Sequence, residues 1–335
     1  MSLDGKILAR AKARLDERRA ENERMMGRRR ATAYARDPRI AEIDAQMKRT
    51  VIDAIDVALK KGADPVEALD EIRDRSLSLQ EERALSLTAA GFSPDYLSES
   101  YICPKCKDTG YDGTKLCSCL MDLYREEQVK ELSQLLKLGE ESFDSFRLDY
   151  YSDEPDPRTG ISPRALMAEV FDFAAEYARN FSMKSLNLFF RGGTGLGKTF
   201  LASSIAKVVA ERGYSVVYDT AAAVFSRYEQ DKFNRGEDLE KIRSEIKRIE
   251  TCDLLIIDDL GTEMPSNFIT SALYTIINTR NITGKKTIIT SNLTPKELGS
   301  RYSPAVMSRL EGDFMSLRFV GKDIRRLKSG ADSLT

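Results

Sequence analysis

A glycine-rich stretch constrains this chain more than any other feature of its sequence. Residues 191–201, RGGTGLGKTFL, follow the apolar run LNLFF at 186–190. Glycines let successive backbone N–H groups turn inward around an anion, and the helix expected after the loop adds the positive end of its dipole. A glycine-rich turn with an accidental lysine is the alternative. The strand–loop–helix context favours a phosphate-binding loop, formed by Gly192, Gly193, Thr194, Gly195, Leu196, Gly197, Lys198 and Thr199.

Five short apolar runs alternate with helical patterns from residue 164 onward. Nearly continuous apolar strands with helices between them predict a parallel sheet covered on both faces. The polar, proline-marked stretch at 150–163 precedes them and predicts an exposed loop. The predicted strands are LNLFFR (186–191), YSVVYDT (214–220), DLLIIDD (253–259), KTIITSN (286–292) and MSLRFV (315–320).

Two of these strands end in polar residues that suit nucleotide chemistry. We expect Asp258 and the Thr199 hydroxyl to hold Mg²⁺, and Lys198 to reach the β- and γ-phosphates. Asp259 is expected to polarise the attacking water, since the chain has no histidine for this task. The alternative for both aspartates is a helix cap or a turn. Asn292 could orient the water or simply form a turn.

The composition narrows the possible functions. The 335 residues include no histidine, which excludes His-containing triads and His metal ligands. With 41% hydrophobic and 31% charged residues, the chain has the composition of a soluble globular protein. No apolar run reaches the roughly 18 residues of a membrane span, and the N-terminus lacks the apolar core of a signal peptide. We therefore expect a cytoplasmic protein that does not contact membranes.

The first 98 residues are rich in Ala, Leu, Glu and Arg and predict three or four helices. Their charge is uneven. Residues 1–50 carry 14 Lys/Arg against 8 Asp/Glu, whereas residues 51–100 carry 5 against 11. Two solvated helical faces of opposite sign fit this pattern, and so does an arm that docks on an acidic partner or on nucleic acid.

Four of the five cysteines lie in one short segment, YICPKCKDTGYDGTKLCSCL (101–120), as a C-x₂-C pair and a C-x-C pair. Four thiolates satisfy one tetrahedral Zn²⁺, and the intervening glycines let the chain fold back on itself. Disulfides are the alternative, but they are disfavoured inside a cell. The fifth cysteine, Cys252, is expected to be buried filler. The predicted structural zinc ligands are Cys103, Cys106, Cys117 and Cys119.

The segments GGTGLGKTFL, DLLIIDDLGTE, IITSNL and MSRLEGDF occur in an order that resembles the AAA+ ATPases of the bacterial replicative helicase loader family (DnaC/DnaI type). The resemblance covers roughly residues 140–328. It implies an α/β fold, namely an AAA+ P-loop NTPase with a five-stranded parallel sheet and no C-terminal helical lid. Asp259 departs from the glutamate of many AAA+ relatives.

The resemblance also assigns roles to residues outside the phosphate loop. Arg301 and Arg309 both lie near a helix, and the motif SRL selects Arg309 as the arginine finger, which acts on a neighbouring subunit. Asn292 matches sensor one, and Arg325 matches the sensor-two arginine. Single-stranded DNA contacts are implied near DKF and PSNF, where aromatic rings can stack on bases, although a buried phenylalanine fits equally well. The implied DNA-contacting residues are Phe233, Ser266 and Phe268.

Loaders of the DnaI kind carry a zinc-binding N-terminal domain that contacts the helicase, so the resemblance extends more weakly over 1–135. We expect a helical helicase-interaction domain at 1–135, with its zinc module at 101–120, and an AAA+ ATPase domain at 136–335. The implied function is ATP-dependent loading of a DnaB-type hexameric helicase onto single-stranded DNA. ATP, Mg²⁺ and Zn²⁺ would be cofactors, and the AAA+ domains would self-associate. A transposition-helper (IstB-type) ATPase and a non-hydrolysing nucleotide-gated adaptor remain alternatives.

Overall fold

The computed structural model of the chain describes residues 3–59, 65–136, 141–233 and 238–328. The chain divides into two compact units. One comprises residues 12–119, and the other comprises residues 120–335 together with residues 1–11. The four clustered cysteines belong to the first unit, and the phosphate loop belongs to the second. The functional boundary at 135/136 stays a prediction.

Three long helices and a small hairpin form the unit of residues 12–119 within the described part of the chain. Ala33, Ile40, Leu87 and Leu97 make up a buried apolar cluster of this unit. Proline occupies the first position of two of the helices, where its missing N–H costs no hydrogen bond. The elements are α1 (Gly5–Arg36), α2 (Pro38–Leu59), α3 (Pro65–Ala89) and the antiparallel strands β1 (Tyr111–Asp112) and β2 (Lys115–Leu116).

The second unit is an α/β structure built on a five-stranded parallel sheet, as predicted. Each strand overlaps one of the five apolar runs. The strands are β3 (Asn187–Arg191), β4 (Val216–Thr220), β5 (Leu254–Leu260), β6 (Lys286–Ser291) and β7 (Phe314–Arg318). The helices are α4 (Ser118–Leu136), α5 (Pro163–Arg179), α6 (Lys198–Glu211), α7 (Ala221–Lys232), α8 (Leu239–Thr251), α9 (Asn267–Ile282), α10 (Pro295–Arg301), α11 (Pro304–Gly312) and α12 (Ile324–Lys328).

The sheet is buried on both faces because side chains alternate along each strand. In β3, Leu188 and Phe190 join one apolar core, which also contains residues of α5 and α6. Phe189, between them, joins the opposite core with residues of α9 and α11. This two-sided burial explains why the strands are nearly continuous apolar runs in the sequence.

The strand order β4-β5-β6-β3-β7 brings the ends of β5 and β6 beside the end of β3. In open parallel sheets, ligands bind in the crevice outside the carboxyl ends of the strands, where the order reverses. Among the described residues, β7 is followed by the short helix α12, and the lack of a helical lid stays a prediction. The helices that the structure describes include none long and apolar enough for a membrane span.

The beginning of the chain packs against the rest of the α/β unit. Ile7 and Ala11 are fully buried. The backbone N–H of Asp4 donates to the Tyr124 hydroxyl at 2.9 Å, and its carboxylate pairs with Arg248 of α8. Residues 1–11 are therefore part of this unit although helix α1 continues into the other one.

Candidate functional site

The glycine loop connects β3 to α6, as predicted. Gly192, Gly195 and Gly197 have φ angles of 153°, 72° and 89°, a region that side chains with a Cβ rarely adopt. A Cβ on Gly195 would lie 1.8 Å from Asp323 Oδ1, and one on Gly192 would lie 2.4 Å from the Phe319 carbonyl oxygen. The loop needs glycine both for its backbone angles and for its close packing.

An aromatic segment supports the back of this loop. The Tyr151 hydroxyl is buried and donates to the Leu196 carbonyl oxygen at 2.9 Å. Phe146 stacks on Tyr151 and contacts Phe200 of α6 edge-on. The sequence-based prediction of an exposed loop at 150–163 is therefore wrong for Tyr151, whose side chain helps to hold the phosphate loop in place.

Lys198 begins α6, and its ammonium group lies between the phosphate loop and β6. Nζ donates to the carbonyl oxygens of Gly192 and Gly193 at 2.8 and 2.7 Å, and to Asn292 Oδ1 at 2.6 Å. Burial lowers the pKa of Lys198, while the negative charges at the end of β5 oppose this shift. The sequence-predicted lysine and asparagine are thus in direct contact.

Asp258 is buried at the end of β5 and accepts hydrogen bonds from three hydroxyl groups. Thr199 of α6 lies 3.0 and 3.3 Å from its two carboxylate oxygens. Tyr218 of β4 donates at 2.9 Å and Thr290 of β6 at 2.5 Å. Carboxylate and hydroxyl oxygens are ligands that Mg²⁺ accepts. The predicted pair of Thr199 and Asp258 therefore meets the chemical requirement for a magnesium site.

Asp259 interrupts the regular pairing of β5 with β6. The register jumps between Ile257 and Leu260, and Asp259 has a φ of 57°, which is uncommon for a residue other than glycine. Its carboxylate accepts from Asn292 Nδ2 at 3.2 Å. Burial raises the pKa of Asp259, and the charge of Asp258 raises it further. A raised pKa brings a carboxylate closer to the range of a general base.

The predicted arginines lie in different surroundings. Arg325 on α12 is exposed. Burial has the largest effect on the pKa of Lys198 and the carboxylates of β5 come next, and the positive charge of Arg325 then lowers this pKa further. Arg309 on α11 donates to Asn278 Oδ1 at 3.1 Å and to Asp313 Oδ2 at 3.2 Å. Arg325 thus lies within electrostatic reach of the phosphate loop, whereas Arg309 bonds to Asn278 of α9 and to Asp313, which follows α11.

Arg301 has a partner within its own unit. Its Nε lies 3.4 Å from Glu263 Oε1, and Glu263 is buried. The same carboxylate accepts from the backbone N–H of Gly261 at 2.9 Å and from the Tyr302 hydroxyl. Arg301 is therefore tied into a local hydrogen-bonded cluster that follows β5.

The four predicted zinc ligands lie together. Their Sγ atoms are all within 4.8 Å of one another. Cys103 and Cys117 are 3.7 Å apart, and Cys106 and Cys119 are 3.4 Å apart. These distances are too long for disulfides of about 2.05 Å. A tetrahedral Zn²⁺ with Zn–S bonds of about 2.3 Å would place sulfurs about 3.8 Å apart, so the cluster fits the metal.

Backbone geometry supports the cysteine cluster. The Asp108 carboxylate accepts from the backbone N–H groups of Ile102 and Cys103 at 2.9 and 2.7 Å. Its own φ is 58°, and Gly110 and Gly113 also have positive φ, so the chain reverses sharply between the two cysteine pairs. The fold of this segment brings together the two pairs that the sequence separates.

Two of the residues predicted to contact DNA form an aromatic patch, in which Phe233 is exposed and Phe268 is partly buried against an apolar core. Phe233 is 52% exposed, and its ring centroid lies 5.8 Å from that of Phe268. Lys232 Nζ lies 5.9 and 4.7 Å from the two ring centroids. Ser266 is also exposed, but its hydroxyl accepts from the Ile269 N–H as the N-cap of α9. The patch therefore combines two rings with a positive charge.

A large cavity lies beside the phosphate loop, with a volume of 1170 Å³. Its walls come from residues 192–194 of the loop, residues 149–152, residues 292–295 after β6 and residues 318–323, which begin at the last residue of β7. Such a volume exceeds that of typical pockets for small ligands. The cavity is contiguous with the groups that would surround a nucleotide phosphate.

A glycine loop between a parallel strand and a helix, followed by lysine and threonine and faced by an aspartate from another strand, defines a P-loop NTPase. The five-stranded sheet and the asparagine at the end of β6 place it in the AAA+ class. The family model described as "IstB-like ATP binding protein" matches residues 174–311. This part of the chain is thus similar to ATP-binding proteins of a class that generally has ATPase activity.

Curated relatives specify the type further. The "Replicative helicase loader DnaC" of Escherichia coli (strain K12) is 26% identical over 137 residues, covering 41% of this chain and 55% of that protein. DnaC of Buchnera aphidicola subsp. Baizongia pistaciae is 29% identical over 145 residues, covering 43% and 58%. The "Replicative helicase loader DnaI" of Bacillus subtilis (strain 168) is 27% identical over 142 residues, covering 42% and 43%.

The chain spans about half the length of the curated relatives it matches. A solved structure named "Crystal structure of the DnaC helicase loader" shares 20% identity, covers 54% of this chain and 97% of its own, and has a TM-score of 0.43. The sequence matches confirm that the ATPase part of this chain resembles the AAA+ ATPases of the DnaC/DnaI type.

Proposed function

We propose that this protein is an ATP-dependent loader that binds a DnaB-type hexameric helicase and places it on single-stranded DNA in the cytoplasm during replication initiation. The similarity to proteins named replicative helicase loaders supports the loading role. The ATPase role is carried by one observation, the hydrogen-bonded connection of Lys198, Asn292 and Asp259 at the edge of the sheet.

Each residue of the site has a separate role in ATP hydrolysis. Lys198 and the loop N–H groups bind the phosphates, and Thr199 and Asp258 hold Mg²⁺, which would neutralise charge on the β- and γ-phosphates. Asp259 polarises the attacking water, and Asn292 orients it. Asp259 is suited to this role because its carboxylate lies next to Asp258 near the end of β5 and accepts a hydrogen bond from Asn292.

Two arginines add positive charge to the transition state from different subunits. Arg325 acts on the site of its own chain, where it already interacts with the charges around the phosphate loop. Arg309 acts on the site of a neighbouring copy, the role that the resemblance to the helicase loaders implies; within the described part of its own chain it bonds to Asn278 and Asp313 and not to the phosphate loop. This arrangement requires self-association of the AAA+ domains, with ATP between subunits.

The N-terminal domain, residues 1–135, is proposed to bind the helicase, and its four-cysteine site is proposed to hold a structural Zn²⁺. The sulfur–sulfur distances and the sharp backbone reversal at Asp108 support zinc. With four thiolates the metal has no open position, so its role is to stabilise the fold rather than to catalyse a reaction.

Single-stranded DNA is proposed to bind at the patch of Lys232, Phe233 and Phe268. Stacking of a base on an exposed ring contributes about 1–3 kcal/mol, and lysine attracts the phosphate backbone. Phe233 offers more than half of its surface to solvent. We propose that Ser266 contributes through its position at the start of α9, since its hydroxyl already caps this helix.

The function is tested with the full-length protein and the replicative helicase of the same organism. We expect co-purification with the helicase, ATP hydrolysis that responds to single-stranded DNA, and increased helicase assembly on circular single-stranded DNA. Failure to bind the helicase, together with capture of a transposase, would instead identify a transposition helper of the IstB type. ATP binding without turnover, with DNA and helicase both present, would identify a nucleotide-gated adaptor.

A further inference from the structure

The carboxylate of Asp258 is held from three directions. The first hydroxyl is that of Thr199, whose position beside Asp258 is expected from the P-loop pattern. The other two hydroxyls come from the strands on either side of β5. Tyr218 of β4 donates to Oδ2 at 2.9 Å, and Thr290 of β6 donates to Oδ1 at 2.5 Å. Each oxygen of the carboxylate therefore has its own donor from a neighbouring strand.

The backbone at this point gives Asp258 incomplete support. On the β4 side Asp258 pairs with Thr220, but on the β6 side regular pairing stops at Ile257 and resumes only at Leu260. Thr290 bridges this interruption, because its Oγ1 accepts the Asp259 N–H at 2.9 Å while donating to Asp258. The Thr290 hydroxyl thus replaces missing strand contacts at the irregularity between Ile257 and Leu260.

Tyr218 is well suited to hold a carboxylate in one orientation. Its ring is buried in the core that contains α5 and α6, so the hydroxyl cannot swing away into solvent. A buried tyrosine hydroxyl needs a hydrogen-bond partner. Asp258 Oδ2 is that partner, at 2.9 Å.

We infer that Tyr218 is a positioning residue, which together with Thr290 orients the Asp258 carboxylate for Mg²⁺. The inference rests on the proposed function of this site in Mg²⁺-dependent ATP hydrolysis. Mg²⁺ demands nearly ideal octahedral geometry, so an anion that supports its coordination must be held at a fixed angle. A carboxylate with fewer donors can rotate about its Cβ–Cγ bond and supports the metal less well.

The test uses Tyr218→Phe, which removes only the hydroxyl and keeps the buried ring. Loss of an outer hydrogen-bond partner typically costs 10- to 100-fold in metal affinity or activity. We expect the Mg²⁺ concentration for half-maximal ATP turnover to rise about tenfold or more, while ATP binding measured in EDTA changes less than about twofold. Tyr177→Phe is the matched control, since this buried tyrosine of α5 donates to the Leu186 carbonyl oxygen at 2.8 Å.

A second pair of variants keeps the test decisive if Tyr218→Phe folds poorly. Thr290→Val removes the other hydroxyl, and Thr290→Ser retains it. We expect Thr290→Val to raise the Mg²⁺ requirement and Thr290→Ser to restore most of the wild-type value. A structural defect would lower nucleotide binding in EDTA as well, whereas a positioning defect affects the Mg²⁺-dependent step.

The possible results separate this inference from the proposed function. If the wild type hydrolyses ATP and both Tyr218→Phe and Thr290→Val retain its Mg²⁺ dependence, the positioning role is refuted and the ATPase role stands. If the wild type binds ATP without turnover, the Mg²⁺ dependence of ATP binding is measured instead. The positioning role is then refuted if Tyr218→Phe and Thr290→Val both retain the wild-type Mg²⁺ dependence of binding. A folded wild type that binds no nucleotide with Mg²⁺ would overturn both.

Discussion

Cys106→Ser should remove zinc from the protein and unfold the segment that contains the cysteine cluster. This segment has little else to stabilise it, since β1 and β2 have two residues each and the cysteines themselves are its buried cluster. Small zinc modules bind the metal with about 10–16 kcal/mol at neutral pH. An equal share for one of four ligands is about 2.5–4 kcal/mol, or roughly 10²- to 10³-fold in zinc affinity.

The assay is elemental analysis of the full-length protein after zinc-replete expression, followed by competition with a chelator of known affinity. We expect one Zn²⁺ per chain in the wild type and in Cys252→Ser, which alters a cysteine of the other unit. Cys106→Ser should lose zinc, become sensitive to proteases within 101–119 and fail to bind the helicase, yet retain ATP binding. A wild type without zinc, or a Cys106→Ser protein with unchanged zinc affinity, would refute the argument.

Three further substitutions test the ATPase unit. Lys198→Ala should reduce ATP affinity and turnover at least tenfold in a folded protein, because it removes the cation nearest the phosphates; unchanged nucleotide titrations would contradict the site. Arg309→Ala should retain ATP binding but lose at least about 100-fold in turnover. Mixing the Arg309→Ala protein with the Lys198→Ala protein should restore part of the turnover; no rescue would mean that Arg309 acts within its own chain. Phe268→Ala should weaken single-stranded DNA binding by about 1–3 kcal/mol in fluorescence anisotropy, whereas Ile282→Ala, exposed at the opposite end of α9, should not.

The parts of the structure that can be predicted from the sequence are those whose residue patterns lie within one short stretch of the chain. The five strands follow from apolar runs that end at turns, and the phosphate loop follows from the glycine spacing beside Lys198. The clustering of the cysteines was also expected, because glycines between the pairs allow a reversal and four thiolates match one metal. In each case neighbouring residues along the chain carry enough information.

The support of Asp258 could not be predicted in this way. Tyr218 and Thr290 lie 40 and 32 positions away, and the strand order alone brings them to the carboxylate. Their only sequence signal is a polar residue near the end of an otherwise apolar strand. The polar neighbours of Tyr151 predict an exposed loop, whereas its own ring is buried behind the phosphate loop.

The packing of residues 3–11 on the ATPase unit has a practical consequence for dissecting the protein. A fragment that starts at residue 120 lacks the side chains of Ile7 and Ala11, which are fully buried, and exposes the apolar surface beneath them. It also removes Asp4, so that Arg248 retains Glu131 but loses its other carboxylate partner. Low solubility of such a fragment would report a missing piece of its own core rather than a need for the N-terminal unit.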